Sequence, residues 1–291
     1  MILSTTRRSS GSSSTSVQLI LLLGSCYLLQ LVECAQGSNS LEKDLTLTLL
    51  QKQTLDKFKQ RVANRLPRDY MKQDIYLIRW LRARNFNVDQ AEQMLNENLK
   101  WRKNSKIDTI LKEDWSEFHE KYPYNLDTIS KDGKPILTGN FGDWDIRAIA
   151  LAGRMPQLIR YLDSGMEDAT TMVRKFQSQG KNVTQFDFLV NMDNYNIVQH
   201  GCLQCITFYL ALVSSYENHF PGDANKIVLF NTPPVFEIVL RVIRPIMSPI
   251  TRNALQVYGQ DKGVWSKVLL NIADKSQLTP EYGGTYKRQE Q

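Results

Sequence analysis

The feature that most constrains the fold is an alternation of short apolar runs with long helical stripes through the second half of the chain. Ile136-Leu137-Thr138-Gly139 follows a turn at Lys131-Asp132-Gly133-Lys134-Pro135 and reads as a short strand. A helical stripe comes next, with Met155, Leu158, Ile159, Leu162, Met166, Ala169, Met172, Val173 and Phe176 recurring at three- and four-residue spacing. Gln185 to Asp193 then alternates, placing Phe186, Phe188, Val190 and Met192 on one face of a strand. A helix from about Cys202 to Tyr216 is expected to bury Leu203, Ile206, Leu210 and Val213. Ile227 to Phe230 is the continuous apolar run of a buried parallel strand. A further helix, a strand at Gln256 to Tyr258 and a last helix carrying Trp265, Val268, Leu269 and Ile272 complete the series. Strands that alternate with helices predict βαβ units, hence an α/β body with a mainly parallel sheet and flanking helices.

The stretch before this body is different. From Leu41 to about Ile110 the chain reads as helices without strands. Asn87 with Gln90 resembles a capping box, after which Val88, Ala91, Leu95 and Leu99 recur at helical spacing. In Tyr76 to Phe86, Leu77, Ile78 and Leu81 share one side, with Arg79, Arg82 and Arg84 nearer the other, expected to be a solvated face. A small all-helical domain over 41–112 and an α/β domain over 113–286, with a tail at 287–291, are therefore expected. The 291 residues carry a net charge of +6, too mild a bias to specify an anionic partner, and no nucleic-acid motif accompanies the arginines.

Residues 1–34 form a third kind of sequence. Arg7 and Arg8 precede an apolar stretch from Val17 to Val32, shorter than the ~20 residues that span a bilayer, and Cys34 offers a small residue at the exit. This is the pattern of a secretory signal peptide, so the chain is expected in the secretory lumen or outside the cell, or in the cytoplasm if the segment does not work as a signal. A mitochondrial transit peptide and an uncleaved anchor share parts of the pattern. Asn182-Val183-Thr184 is the one clear sequon, meaningful only for a secreted chain. Cleavage leaves Cys202 and Cys205, whose spacing suits either two small apolar side chains on adjacent helical turns or, in an oxidising compartment, a bonded pair.

The body carries no recognisable catalytic constellation. Gly-x-Ser-x-Gly, a phosphate loop and His-Glu-x-x-His are all missing, and His119, His200 and His219 lie in unrelated contexts. Nor does Cys-x-x-Cys have a second cysteine pair to complete a metal site. The expectation is a non-enzymatic chain without metal or cofactor. What stands out instead is the apolar surplus of Val235 to Met247, where Phe236, Val239, Leu240, Ile243 and Met247 fall at helical spacing while Val235, Ile238 and Val242 cover much of the remaining circumference. Such a helix is either buried on nearly all sides or meets something apolar besides its own sheet. Pro245 or Pro249 would end or bend it, and Arg241, Arg244 and Arg252 could meet anionic headgroups.

Four segments in order resemble the CRAL-TRIO lipid-binding family: YLIRWLRARNFNVDQAEQML, KDGKPI, FPGDANKIVLFNTPPVFEIVLRVIRPIMSPIT and LTPEYGGT, spanning about 73–285. The resemblance implies a helical domain followed by an α/β domain enclosing one lipid, with the helix around Val235 to Met247 as a gate and a transient membrane surface as partner of a monomer. It implies a ligand site at Leu126, Leu137, Phe186, Phe188, Val190, Phe236, Val239, Leu240, Ile243 and Met247. Members that hold phosphatidylinositol carry an acid directly after an aromatic-Pro pair; here Phe220-Pro221 is followed by Gly222, with Asp223 one place late. The lysine of such members, after the Pro-x-Thr that follows the gate, is replaced by Asn253 and Ala254. At positions where relatives present hydroxyls to a phosphocholine, this chain has Leu126, Leu137, Phe188 and Val190. These departures point to a less polar cargo. A lipid-responsive interaction module and a phospholipid carrier with altered headgroup contacts remain as alternatives. Because the matched region runs almost to the last residue, the C-terminal β-domain of some relatives is not expected here.

Overall fold

The structure, a computed structural model, describes residues 40–288. The signal-like segment of residues 1–34 and the last three residues of the tail lie outside the described residues. Helices α1 (Ser40–Leu45), α2 (Leu49–Val62), α3 (Asp74–Ala83) and α4 (Val88–Asn104) come first. Local chemistry fixes their starts: Thr48 and Gln51 form a reciprocal capping box, and the Asn87 side chain accepts from the Gln90 amide at 3.1 Å. Their apolar faces meet in one core of Leu55, Phe58 and Val62 with Leu77, Ile78 and Leu81, closed by Ala91, Met94 and Leu95.

The body contains α5 (Ser116–Lys121), β1 (Tyr124–Ile129), β2 (Pro135–Asn140), α6 (Ile146–Leu151), α7 (Met155–Ser178) and β3 (Phe186–Asn191). It continues with α8 (Ile197–His200), α9 (Leu203–His219), β4 (Ala224–Phe230), α10 (Glu237–Ile243), α11 (Pro249–Ala254), β5 (Leu255–Val257) and α12 (Lys262–Ile272). The five strands lie in chain order, with β1 antiparallel to β2 and every other pair parallel. The mostly parallel sheet therefore agrees with the sequence. The antiparallel β1 is not among the expected strands, although Tyr124, Leu126 and Thr128 alternate there with the polar Asn125 and Asp127. One face of the sheet, through Ile136, Leu189, Val228 and Phe230, packs on Trp265, Leu269 and Ile272 of α12. The other face is left to α7, α9 and the segment around α10.

Two expectations about charged and apolar faces are corrected. Arg79 does not lie on a solvated face: its side chain is 18% exposed and ion-paired with Asp223, 9% exposed, joining α3 to the turn before β4. Arg102 of α4 likewise reaches the buried Glu167 of α7 through two hydrogen bonds of 2.9 and 3.1 Å. Trp101 stacks on His219 with ring centroids 3.7 Å apart, and Asn98 donates to that histidine. Burial, assisted by the charge of Arg102, pulls the His219 pKa down to about 4. The second correction is Leu203, expected in the core but 82% exposed at the first position of α9. It sits on the outward side of the first turn of the helix, whose inward side buries Cys205.

Candidate functional site

Between the sheet and its helical cover lies a cavity of about 160 Å³. Its floor follows from strand register. Leu137, Phe188, Ile227 and Leu255 are paired neighbours across β2 to β5, and Tyr124, Gly139, Val190 and Leu229 form the next row across β1 to β4. All eight line the cavity. Successive rows on one face are two residues apart, so a period-2 pattern in each strand is enough to make the floor apolar. Gly139 keeps its row low beside Trp144, whose ring would lie 3.6 Å from an added Cβ.

Helix α7 supplies one wall through Leu162, Gly165 and Met166; α9 supplies another through Tyr209, Leu212, Val213 and Tyr216. Gly165 admits the Tyr124 ring, which would stand 3.1 Å from a Cβ there. The cover is the segment from Pro234 to Met247, through Phe236, Ile243 and Met247. It is not one helix. Three-ten turns at Pro234–Phe236 and Arg244–Ile246 flank the seven-residue α10, because Pro245 removes an amide and crowds the preceding turn. Pro249, expected to end a helix, instead starts α11 behind the Ser248 cap. The Phe236 ring is held edge-on by Tyr195 at 5.2 Å and by Tyr209 at 6.1 Å. At the other end, Glu217 of α9 accepts from the Ser248 amide at 3.1 Å, tying the cover to the wall.

The hydroxyls of this lining already have partners, whereas the buried Trp144 indole N–H has none. Tyr209 donates to the His200 carbonyl at 3.0 Å, and the Tyr216 oxygen accepts from the Ala224 amide at 3.0 Å. Thr251 shares a 3.2 Å hydrogen bond with Ser248. The Tyr124 hydroxyl pairs with Ser164, and burial pushes its pKa up to about 12. No lining side chain is an acid or a base.

Of the ten expected ligand residues, the structure brings Leu137, Phe188, Val190, Phe236, Ile243 and Met247 into the lining. Four lie elsewhere. Phe186 shares the face of Phe188 but is fully buried against Met166, Ala169 and Val173, one row beyond the cavity end, and Leu126 packs on the same cluster. Val239 and Leu240 fill the core that anchors the cover to the body. The lining residues missed by sequence reasoning include Tyr124, Phe141, Trp144, Leu162, Met166 and the α9 set. Of these the α9 residues Leu212, Val213 and Tyr216 carried a signal, being apolar or aromatic at helical spacing.

The surface of the cover bears the surplus noted in the sequence. Ile238, Val242 and Ile246 are 54%, 37% and 42% exposed, and Arg241, Arg244 and Arg252 are exposed beside them in the chain. Arg244 pairs with Glu237 at 3.2 Å. Helix α9 packs against both α6 and α10, and α6 against α8; these neighbours expose Leu151, Ile197, Val198 and Leu203. Among the described residues no helix is long and apolar enough to cross a membrane. Cys202 and Cys205 are joined by a disulfide. Asn182 is exposed, whereas Thr184 of the same sequon is buried and donates to Asp44.

Residues 104–284 match the CRAL/TRIO domain and residues 54–97 its N-terminal domain, so the chain belongs to the CRAL/TRIO family, whose fold binds and transfers lipids and other hydrophobic small molecules. It is 26% identical over 186 residues to Protein real-time of Anopheles gambiae, covering 63% of this chain and 27% of that one. It is 24% identical over 221 residues to a CRAL-TRIO domain-containing protein of Caenorhabditis elegans, covering 73% and 30% respectively. The chain thus spans less than a third of the length of these relatives. The crystal structure of Sfh5 shares its fold, with a TM-score of 0.65 at 16% identity over 82% of this chain and 88% of that one.

Proposed function

We propose that this chain carries one apolar molecule without a charged headgroup, and exchanges it with a lipid surface when the Pro234–Met247 cover moves aside. The observation that carries this reading is the apolar wall: each hydroxyl of the lining is engaged within the protein, no charged side chain joins it, and of the lining side chains only Trp144 has a buried donor, its indole N–H, without a partner. A buried phosphate met by no cation and at most one indole N–H would cost several kcal/mol. An apolar ligand withdrawing ~300 Å² from water would gain roughly 7 kcal/mol before association entropy is subtracted, so it needs no polar anchor. Retinoids, tocopherols, sterol-like and fatty compounds are the proposed class, and the cavity of about 160 Å³ takes one only by widening as the cover shifts. The role is non-catalytic.

The exposed Ile238, Val242 and Ile246, with Arg241 and Arg244 on the same segment, support the lipid surface as the place of exchange. The pattern of residues 1–34, the exposed Asn182 and the Cys202–Cys205 bond support a secretory location. Mass spectrometry of an organic extract from chain purified out of eukaryotic cells tests the cargo. One stoichiometric neutral lipid is expected, and a stoichiometric phospholipid would overturn the reading. Transfer between neutral vesicles tests the route: Ile238→Glu should slow it at least tenfold with the fold retained, since this side chain already faces water. Unchanged transfer by that variant would remove the cover from the mechanism.

A further inference from the structure

We infer that Cys202 and Cys205 form an exchangeable disulfide, a site at which small thiols react. The bond joins residues three apart on one helical turn, with Cα atoms 4.9 Å apart. It fastens no second element, and a loop this short restricts the unfolded chain far less than a long one does. Structural stapling is therefore a poor account of it.

Its surroundings suit exchange. Cys205 is fully buried, whereas Cys202 is half-buried and the intervening Leu203 and Gln204 are exposed, so an incoming thiol meets the Cys202 sulfur first. Cys202 caps the seventeen-residue α9, and its Sγ accepts from the Cys205 amide at 3.1 Å. A thiolate released there is stabilised by that N–H and by the positive end of the helix. The corner is also held without the bond. His200 and Gly201 donate their amides to Asn196 and Ile197 at 3.0 and 2.9 Å, Ile206 donates to Cys202 at 3.1 Å, and the Tyr209 hydroxyl grips the His200 carbonyl. Opening the bond therefore leaves the backbone in place, and the reaction can run both ways.

The step balances with thiols alone. A thiolate attacks the Cys202 Sγ, a mixed disulfide forms there, and the electron pair of the broken S–S bond leaves on the Cys205 sulfur, which takes a proton from water. A second thiolate attacks the outer sulfur of the mixed disulfide and releases the Cys202 thiolate. Two small thiols become one disulfide, and the protein pair becomes a dithiol.

The test equilibrates the full chain with glutathione at varied ratios of reduced to oxidised form, traps free thiols by alkylation and reads the peptide holding both cysteines by mass. A complete transition within the accessible ratios is expected, with an unchanged circular dichroism spectrum. In the Cys205→Ser variant glutathione disulfide should form a mixed disulfide at Cys202, at least tenfold faster than it reacts at Cys205 in the Cys202→Ser variant. The Cys202 thiol should titrate below the ordinary ~8.5. A bond that stays closed in excess reduced glutathione, equal rates in the two variants, or an ordinary Cys202 titration would each overturn the assignment.

Discussion

The ion pair between Arg79 and Asp223 gives the sharpest quantitative test of how the helical region is joined to the α/β body. Both side chains are largely removed from water, at 18% and 9% exposure. Removing one partner of such a pair leaves a buried charge uncompensated, at a typical cost of about 3–5 kcal/mol; residual exposure puts the expected loss at the lower end, about 3 kcal/mol. Asp223→Leu and Arg79→Met should each lower stability by that amount. The double variant should lie within about 1 kcal/mol of the parent, because apolar replacement of a whole buried pair is nearly neutral. Equilibrium urea unfolding followed by circular dichroism reads the difference. With a slope of ~3 kcal/mol per molar, each single variant should shift the midpoint down by ~1 M and the double by a third of that or less. Losses below 1 kcal/mol in both single variants, or a double variant that loses the sum, would show that the pair is not the joint described here.

Acid and base should act on two other joints in opposite senses. The His219 pKa is about 4 in the folded chain against an ordinary 6.5, so its contribution is complete above pH 6.5 and is lost as pH falls towards 4. At 1.36 kcal/mol per unit this is no more than about 3 kcal/mol, and His219→Gln should flatten the pH dependence of the urea midpoint over that window. Asp163, buried and bonded only by Ser215 among side chains, has its pKa pushed up to about 6 by desolvation. That raised value favours folding at low pH and is lost as pH rises through 6, so Asp163→Asn should stabilise the chain by about 1–2 kcal/mol at pH 8 and hardly at all below pH 4. Val213→Trp should fill the cavity from α9, and the bound-lipid signal in extracts should fall by more than tenfold while the helical spectrum persists.

What the sequence made legible was whatever periodicity encodes. Phe188 and Val190 could be placed on one strand face, and Leu77, Ile78 and Leu81 on one helix face, since a side chain's direction repeats every 2 or 3.6 residues. Distance along an element was not encoded in the same way. Phe186 has the same direction as Phe188 yet lies beyond the cavity, because the length of the void depends on α7 packing at Met166 and Ala169. Charge patterning failed at Arg79 for a related reason: its partner Asp223 is far off in sequence, and neither residue alone announces the pair. The broken cover was foreshadowed by Pro245, but the water-facing edge of Ile238, Val242 and Ile246 emerges only once the inner face is seen to be full.

The saturated hydroxyls of the wall bear on selectivity. A pocket that offers hydrogen bonds can reject a molecule lacking the matching group by several orders of magnitude, whereas a purely apolar one gains only about 1–3 kcal/mol for each methylene that fits or fails to fit. With Tyr209, Tyr216 and Thr251 turned to their own chain and the Trp144 indole N–H the one unpartnered lining donor among the described residues, this cavity sorts mainly by girth and length. Two compounds of similar shape would then be held in proportion to their supply, and the contents of the protein would record the composition of the surface it last visited.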